Sequence, residues 1–236
     1  MKSELKKIVA TLLLVSISSI AVAQDDWVPT GVWPFLHEKF RVATVVAGFI
    51  RPSKTQVPCN IHIGRQTLYY AKDDTLMEAT PGSILRVEFP DATYIPIGLN
   101  TFGRIMHEDS IGKIIRVREV DMKKFKESGK DASNLGVFQL EANGMFPGFS
   151  IDLLGQYEPR PEEKPLPIID TYFFIFRGET FQATDKNIMS RIDQSRRREY
   201  SAFTRSAEIL STSYASMQKI WKEFFVNYQP KPKKKK

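Results

Sequence analysis

The chain contains one cysteine, Cys59, in 236 residues. No intrachain disulfide can form, and no zinc site can be built from thiolates. Histidine is almost as scarce: His37, His62 and His107 are the full set, far apart in sequence. Walker A, G-x-S-x-G, H-E-x-x-H, C-x-x-C and EF-hand patterns are all missing. No motif calls for a cofactor or a metal, and these absences disfavour an enzyme. There is no N-x-S/T sequon, which together with the lack of a cysteine pair argues against a eukaryotic secreted protein. Past the N-terminus, no apolar run is long enough to span a bilayer. What remains, 42% hydrophobic and 26% charged residues, is ordinary globular composition and excludes a disordered or collagen-like chain.

Residues 1–23 have the layout of a secretory signal peptide. Lys2, Lys6 and Lys7 form a basic start, residues 8–23 are uncharged and mostly apolar, and Ala21-Val22-Ala23 is an A-x-A cleavage site. The expected mature chain starts at Gln24, and its location is the periplasm, the cell envelope or the exterior. An uncleaved membrane anchor is the alternative, but the apolar run is short of the ~20 residues a span needs.

Formal charge is +7 overall. Lys2, Lys6 and Lys7 against Glu4 account for +2 of it, and Lys231 with Lys233 to Lys236 for +5. The body between these ends is balanced, unlike a nucleic-acid-binding surface, so no nucleic-acid partner is expected. The lysine tail reads as a solvated extended stub, with weak, salt-sensitive contact to an anionic surface as its alternative role.

Short strands separated by Gly, Pro and Asp turns are predicted at 41–50, 59–63, 67–70, 75–79, 84–89, 93–97, 101–106 and 113–120. Residues 120–136 read as a polar mobile loop and 136–157 as irregular strands. Four prolines in residues 158–167 predict a stiff linker between two domains, 24–157 and 168–228. Beyond it, 168–176 and 180–183 read as a hairpin followed by three short helices: 186–192 capped by Asp185, 194–210 with Tyr200, Phe203, Ala207 and Leu210 on one stripe, and a third capped by Ser213. The fold class is therefore α+β: a β-rich barrel or roll-like domain, then a strand-and-helices module.

Candidate functional residues are few. Cys59 and His62 lie three apart on one strand and face opposite ways, so Cys59 reads as buried filler and His62 as facing solvent or the opposite sheet face. His107 and Asp109 can share a strand face, but a polar strand-end turn accounts for them better than a metal site. Arg196, Arg197 and Arg198 read as a solvated helical face, or as an anion-contacting patch. Trp27 and Trp33, in the aromatic and proline-rich residues 27–35, could form a glycan platform or a strap that buries its rings across the β domain.

The signal peptide, the β segment at 57–70 and the 172–179 hairpin followed by helices ending at 217–225 together resemble uncharacterised exported proteins of Bacteroidetes-type bacteria. The resemblance rests on layout and implies a periplasmic or envelope location; it brings no catalytic residues with it. The reading that follows is an exported envelope binding or protein-interaction module whose partner is an envelope protein or glycan, with a polymer hydrolase as the alternative. Expressed with its leader in a bacterial host, the exported chain should show by intact mass an N-terminus at Gln24; an unprocessed Met1 would favour the anchor.

Overall fold

The computed structural model describes residues 28–30, 33–48, 50–72, 75–80, 82–98, 101–128 and 164–227. Ten strands follow one another: β1 (Arg41–Ala47), β2 (Ser53–His62), β3 (Thr67–Lys72), β4 (Thr75–Glu78), β5 (Ile84–Phe89), β6 (Ala92–Pro96), β7 (Phe102–Glu108), β8 (Gly112–Val120), β9 (Ile168–Phe176) and β10 (Glu179–Gln182). A short helix α1 (Met122–Glu127) follows β8, and α2 (Asp185–Arg191), α3 (Arg197–Ser206) and α4 (Tyr214–Trp221) follow β10. A 3-10 turn at Gln194–Arg196 leads into α3, and a π turn at Lys222–Val226 extends α4. The α+β class read from the sequence is observed; its β part is an antiparallel sheet of ten strands that is not closed into a barrel. Among the described residues no helix is long and apolar enough to cross a membrane.

All strand pairs are antiparallel and form one open sheet in the order β10-β9-β8-β7-β6-β5-β1-β2-β3-β4. The sheet curls strongly. The β2–β3 turn reaches β7 and β8, although three strands lie between them in the sheet order. Gln66, at a left-handed φ of 55°, holds that meeting point. Its Nε2 donates to the carbonyls of Ile63 (2.7 Å) and Arg118 (2.9 Å), and its Oε1 accepts from the Phe102 amide at 3.4 Å.

The inner face carries two apolar clusters. At one end Ala43, Val45, Cys59, Ile61, Leu68, Val87 and Phe89 pack together. At the other end Ile114, Tyr172, Phe174 and Phe176 are covered by α2, α3 and α4 through Ile188, Tyr200, Ile220, Trp221, Phe224 and Phe225. Each of these large side chains contributes about 1.5–3 kcal/mol on burial, so the helices are held by their apolar faces rather than by intrinsic propensity. Trp221 also donates from Nε1 to Asp109 at 2.9 Å, tying α4 to the β7–β8 turn, where Asp109 accepts the amides of Ile111 and Gly112.

The outer face of β2 and β3 is buried as well. Residues 33–40 cross it, bridged at Phe35 to His62, with Leu36 donating to Ile61 O and Ile63 donating to Pro34 O at 2.8 and 2.9 Å. Trp33, Phe35, Phe40 and Tyr69 form the cluster beneath this strap.

Several sequence expectations are corrected. The boundary at 158–167 does not interrupt the sheet: β9 pairs with β8 over nine residues, so the two expected domains share one sheet. The end of the expected linker is packed, with Leu166 buried against Ile63, Val120 and Phe125, its amide bonded to Pro29 O, and Pro165 bridged to Thr30. Residues 122–127 are a helix capped by Asp121, whose carboxylate accepts from the Lys124 amide, not a loop. Strand β1 stops before Gly48, whose φ of 101° turns the chain, and Ile50 beyond it is 94% exposed. The cap of α2 is Thr184, which accepts from the Asn187 amide, while Asp185 accepts the Tyr200 hydroxyl at 2.7 Å. Helix α3 ends at Ser206, leaving Leu210 off its stripe and exposed. Ser213 sits at the start of α4 but makes no side-chain cap bond. The signal peptide, the lysine tail and the expected irregular strands at 136–157 lie outside the described residues.

At Gly112 a Cβ would collide with the Ile175 carbonyl and the Trp221 ring, where β8, β9 and α4 meet. Gly112→Ala should lower unfolding stability by about 3 kcal/mol or more, because backbone and a fully buried indole leave nowhere to relax. Urea denaturation measures this, and an unchanged midpoint would show that the three elements are not closely apposed there.

Candidate functional site: an arginine-lined crevice

The residues singled out from sequence do not converge. Trp27 lies outside the described residues. Trp33 is not on a surface platform; it takes the strap arrangement, buried, with Nε1 donating to His37 O at 3.1 Å. Arg196 is committed: its guanidinium holds Glu199 through Nε (3.0 Å) and Nη2 (2.8 Å), donates to the Glu223 carbonyl and lies 4.7 Å from the Phe224 ring centroid. Arg197 and Arg198 are exposed beside it. His107 and Asp109 do meet, at 3.1 Å, as part of the Trp221 joint. Among the described residues no group of three or more His, Cys, Asp or Glu side chains is placed to hold a metal.

Cys59 is fully buried in the inner cluster, and burial pushes its thiol up to about 12, so it stays protonated and a poor nucleophile. Of the two alternatives for His62, it faces the opposite side of the sheet from Cys59, and it is fully buried there because the strap covers that face. Its Nδ1 accepts from the amides of Gly64 (3.1 Å) and Arg65 (3.0 Å), which assigns the proton to Nε2, set against the rings of Phe35 and Tyr69. Among the described residues nothing bonds that Nε2, nor Nε2 of His37, which packs on Phe89 and Tyr94.

The sequence reading missed a row of polar side chains on the inner face, between the two apolar clusters. Tyr94 of β6 is paired with Arg104 of β7, Arg104 with Arg116 of β8, and Arg116 with Tyr172 of β9. One step along, Arg118 is paired with Asp170 and grips it with both prongs, Nε to Oδ1 at 2.9 Å and Nη2 to Oδ2 at 3.0 Å. Arg116, only 8% exposed, lies 3.8 Å from the same carboxylate. Arg104, Arg116 and Arg118 line a narrow crevice of only about 10 Å³ with Tyr94, Gln66, Leu36, Ile61, Ile63 and Phe102. A second, apolar crevice of about 20 Å³ adjoins it, sharing Gln66 and Phe102 and continuing along Leu68, Ile84 and Pro96.

The chemistry of the lining is that of donors. Like charges directly opposite on neighbouring strands repel, so the Arg104–Arg116 pairing favours a counter-charge between them. Arg104 makes no hydrogen bond or ion pair with the described residues, and neither does the Tyr94 hydroxyl. Burial raises the Tyr94 hydroxyl above its ordinary value, outweighing the opposing pull of Arg104 and Arg116, so the group stays a donor. The signal was present in the sequence: 114, 116, 118 and 120 share one strand face and read Ile-Arg-Arg-Val, two arginines set into an apolar row.

No protein-family model matches this chain, and neither a curated protein nor a solved structure matches it significantly.

Burial lowers both His37 and His62 to about 3, aided at His37 by Arg41 and at His62 by Arg65. The unfolded chain therefore binds two protons that the folded chain refuses between about pH 6.5 and about pH 3. Stability is complete above that window and falls as pH drops through it, at about 1.4 kcal/mol per pH unit for each histidine. Urea midpoints at neutral pH and near pH 5 should differ accordingly, and His62→Asn, whose side-chain oxygen can accept the same amides, should halve the slope. Equal midpoints at both pH values would mean that the histidines are accessible to protons when folded.

Proposed function

We propose that this chain is an exported, non-enzymatic binding module of the cell envelope, and that it recognises an acidic group in the arginine-lined crevice. The observation that carries the reading is the Arg104 guanidinium, set directly opposite Arg116 beside the unbonded Tyr94 hydroxyl, in a partly buried crevice. Maintaining a cation there with no partner among the described residues is costly unless a ligand repays it. Export is supported by the leader-like residues 1–23. The hydrolase alternative draws no comparable support: the charged side chains of the crevice are all arginines, and Cys59 is locked in its thiol form.

Immobilised wild-type chain and the Arg104→Gln variant, exposed in parallel to native envelope extract, test this. Mass spectrometry and glycan analysis should find an acidic species retained by the wild type and reduced about tenfold by the variant, the loss of one charge-assisted contact. Equal retention by both would remove the crevice from binding, and a retained polysaccharide that shortens on incubation would establish the hydrolase instead.

A further inference from the structure

We infer that β9 carries a strand-accepting edge at residues 168–171, and that its occupant is the start of the mature chain, residues 24–27. The start at Gln24 rests on the export reading above. The edge itself rests on the register of the sheet and is independent of the arginine crevice.

Three observations lead there. First, the edge is free over a defined length. Strand β9 pairs with β8 from end to end, whereas β10 pairs only with residues 173–176 and finishes with the Ala183 amide donating to Tyr172 O at 2.8 Å. Alternate residues of an antiparallel strand turn both backbone groups to the same neighbour. The Tyr172 bond therefore puts the N–H and C=O of Ile168 and Asp170 on the β10 side, past the end of β10. Among the described residues no strand pairs with them there.

Second, the other end of this gap is already closed by an N-terminal segment. Thr30 is bridged antiparallel to Pro165, and the Leu166 amide donates to Pro29 O at 2.8 Å. Asp121 donates to Pro167 O from the β8 side, so Leu166 faces the β10 side, as Ile168 and Asp170 do. Continuing that register puts Trp27 opposite Ile168, Asp25 opposite Asp170 and Gln24 opposite Thr171. Ala23 would fall opposite Tyr172, where Ala183 already sits. The gap thus has the length of a chain that starts at Gln24, and a retained leader would have to turn out of the sheet at that point.

Third, the side chains suit the positions. An open groove of about 610 Å³ lies at this edge, lined by Val28, Leu166, Ile168, Asp170, Lys124 and Thr212 among others. Opposed residues of neighbouring strands share a face, so Trp27 would stack beside Ile168 as an aromatic and β-branched pair. Asp25 would join the face on which Arg116 and Arg118 both lie against Asp170, so two carboxylates would meet two guanidinium groups.

Backbone hydrogen exchange tests the inference in three purified chains, beginning at Gln24, Asp26 and Val28. Each is released from a fusion without extra residues, so that export plays no part. The amides of Ile168 and Asp170 should exchange at least ~tenfold more slowly in the chain from Gln24 than in the chain from Val28. The chain from Asp26 should keep Ile168 protected and lose Asp170, which tests the register. Unchanged protection of Ile115 and Phe173 verifies that all three are folded. Equal exchange at Ile168 and Asp170 in the three chains overturns the inference. Protection in all three, with a dimeric mass by light scattering, overturns it in favour of a second copy on the edge. If the chain from Gln24 is protected as expected but a bacterial host leaves the leader in place, the docking stands and the export reading falls.

Discussion

The pairing of β9 with β8 is the constraint on which the rest of the molecule depends. The nine-residue register sets Phe174 opposite Ile114, Arg116 opposite Tyr172 and Asp170 opposite Arg118. A slip of one residue would turn Phe174 and Phe176 away from the helices and leave Arg118 without its carboxylate, since strand side chains alternate with a period of two. The same register brings Ile175 against Gly112, so that α4 can lay Trp221 directly over the strand pair. The helices thus depend on a pairing between segments distant in the chain.

Within that frame the inner face is divided rather than uniform. Two aromatic and aliphatic clusters occupy its ends, and the Tyr94–Arg104–Arg116–Tyr172 row separates them. Apolar residues of the same size would stabilise such a position better than buried guanidinium groups do. The curl maintained by Gln66 makes the row a site, because it brings Leu36, Ile61 and Ile63 from the far side of the sheet to within reach of the arginines. A flat sheet with the same sequence would present three arginines to solvent.

The strap at residues 33–40 has the converse effect on the opposite face. It covers polar positions of β2, so Asn60 and His62 are buried and must find partners. Asn60 does so fully, accepting from the His37 amide and donating to the His37 and Lys39 carbonyls. Among the described residues, His62 does so on one nitrogen only. Two neutral histidines in this region make the fold sensitive to acid without any role in chemistry.

Local sequence was enough to place most of the strands and the three helices after them, but not the helix at Met122–Glu127. Alternation in 84–89, 113–120 and 168–176 and the turn residues between them mark strands at nearly the observed bounds, because the pleat imposes its period on any half-buried strand. Wide amphipathic stripes marked the last helix for the same kind of reason. The sequence also determined the inert character of Cys59, set beside Pro58 in an apolar strand, and the cluster of arginines between apolar residues in β8. The tertiary structure alone decided that one sheet spans both halves, that Trp33 and His62 are interior, and that Arg104 stands between Tyr94 and Arg116. These depend on which strands become neighbours and on how far the sheet curls. Both are set by contacts between residues tens of positions apart, which no local period records.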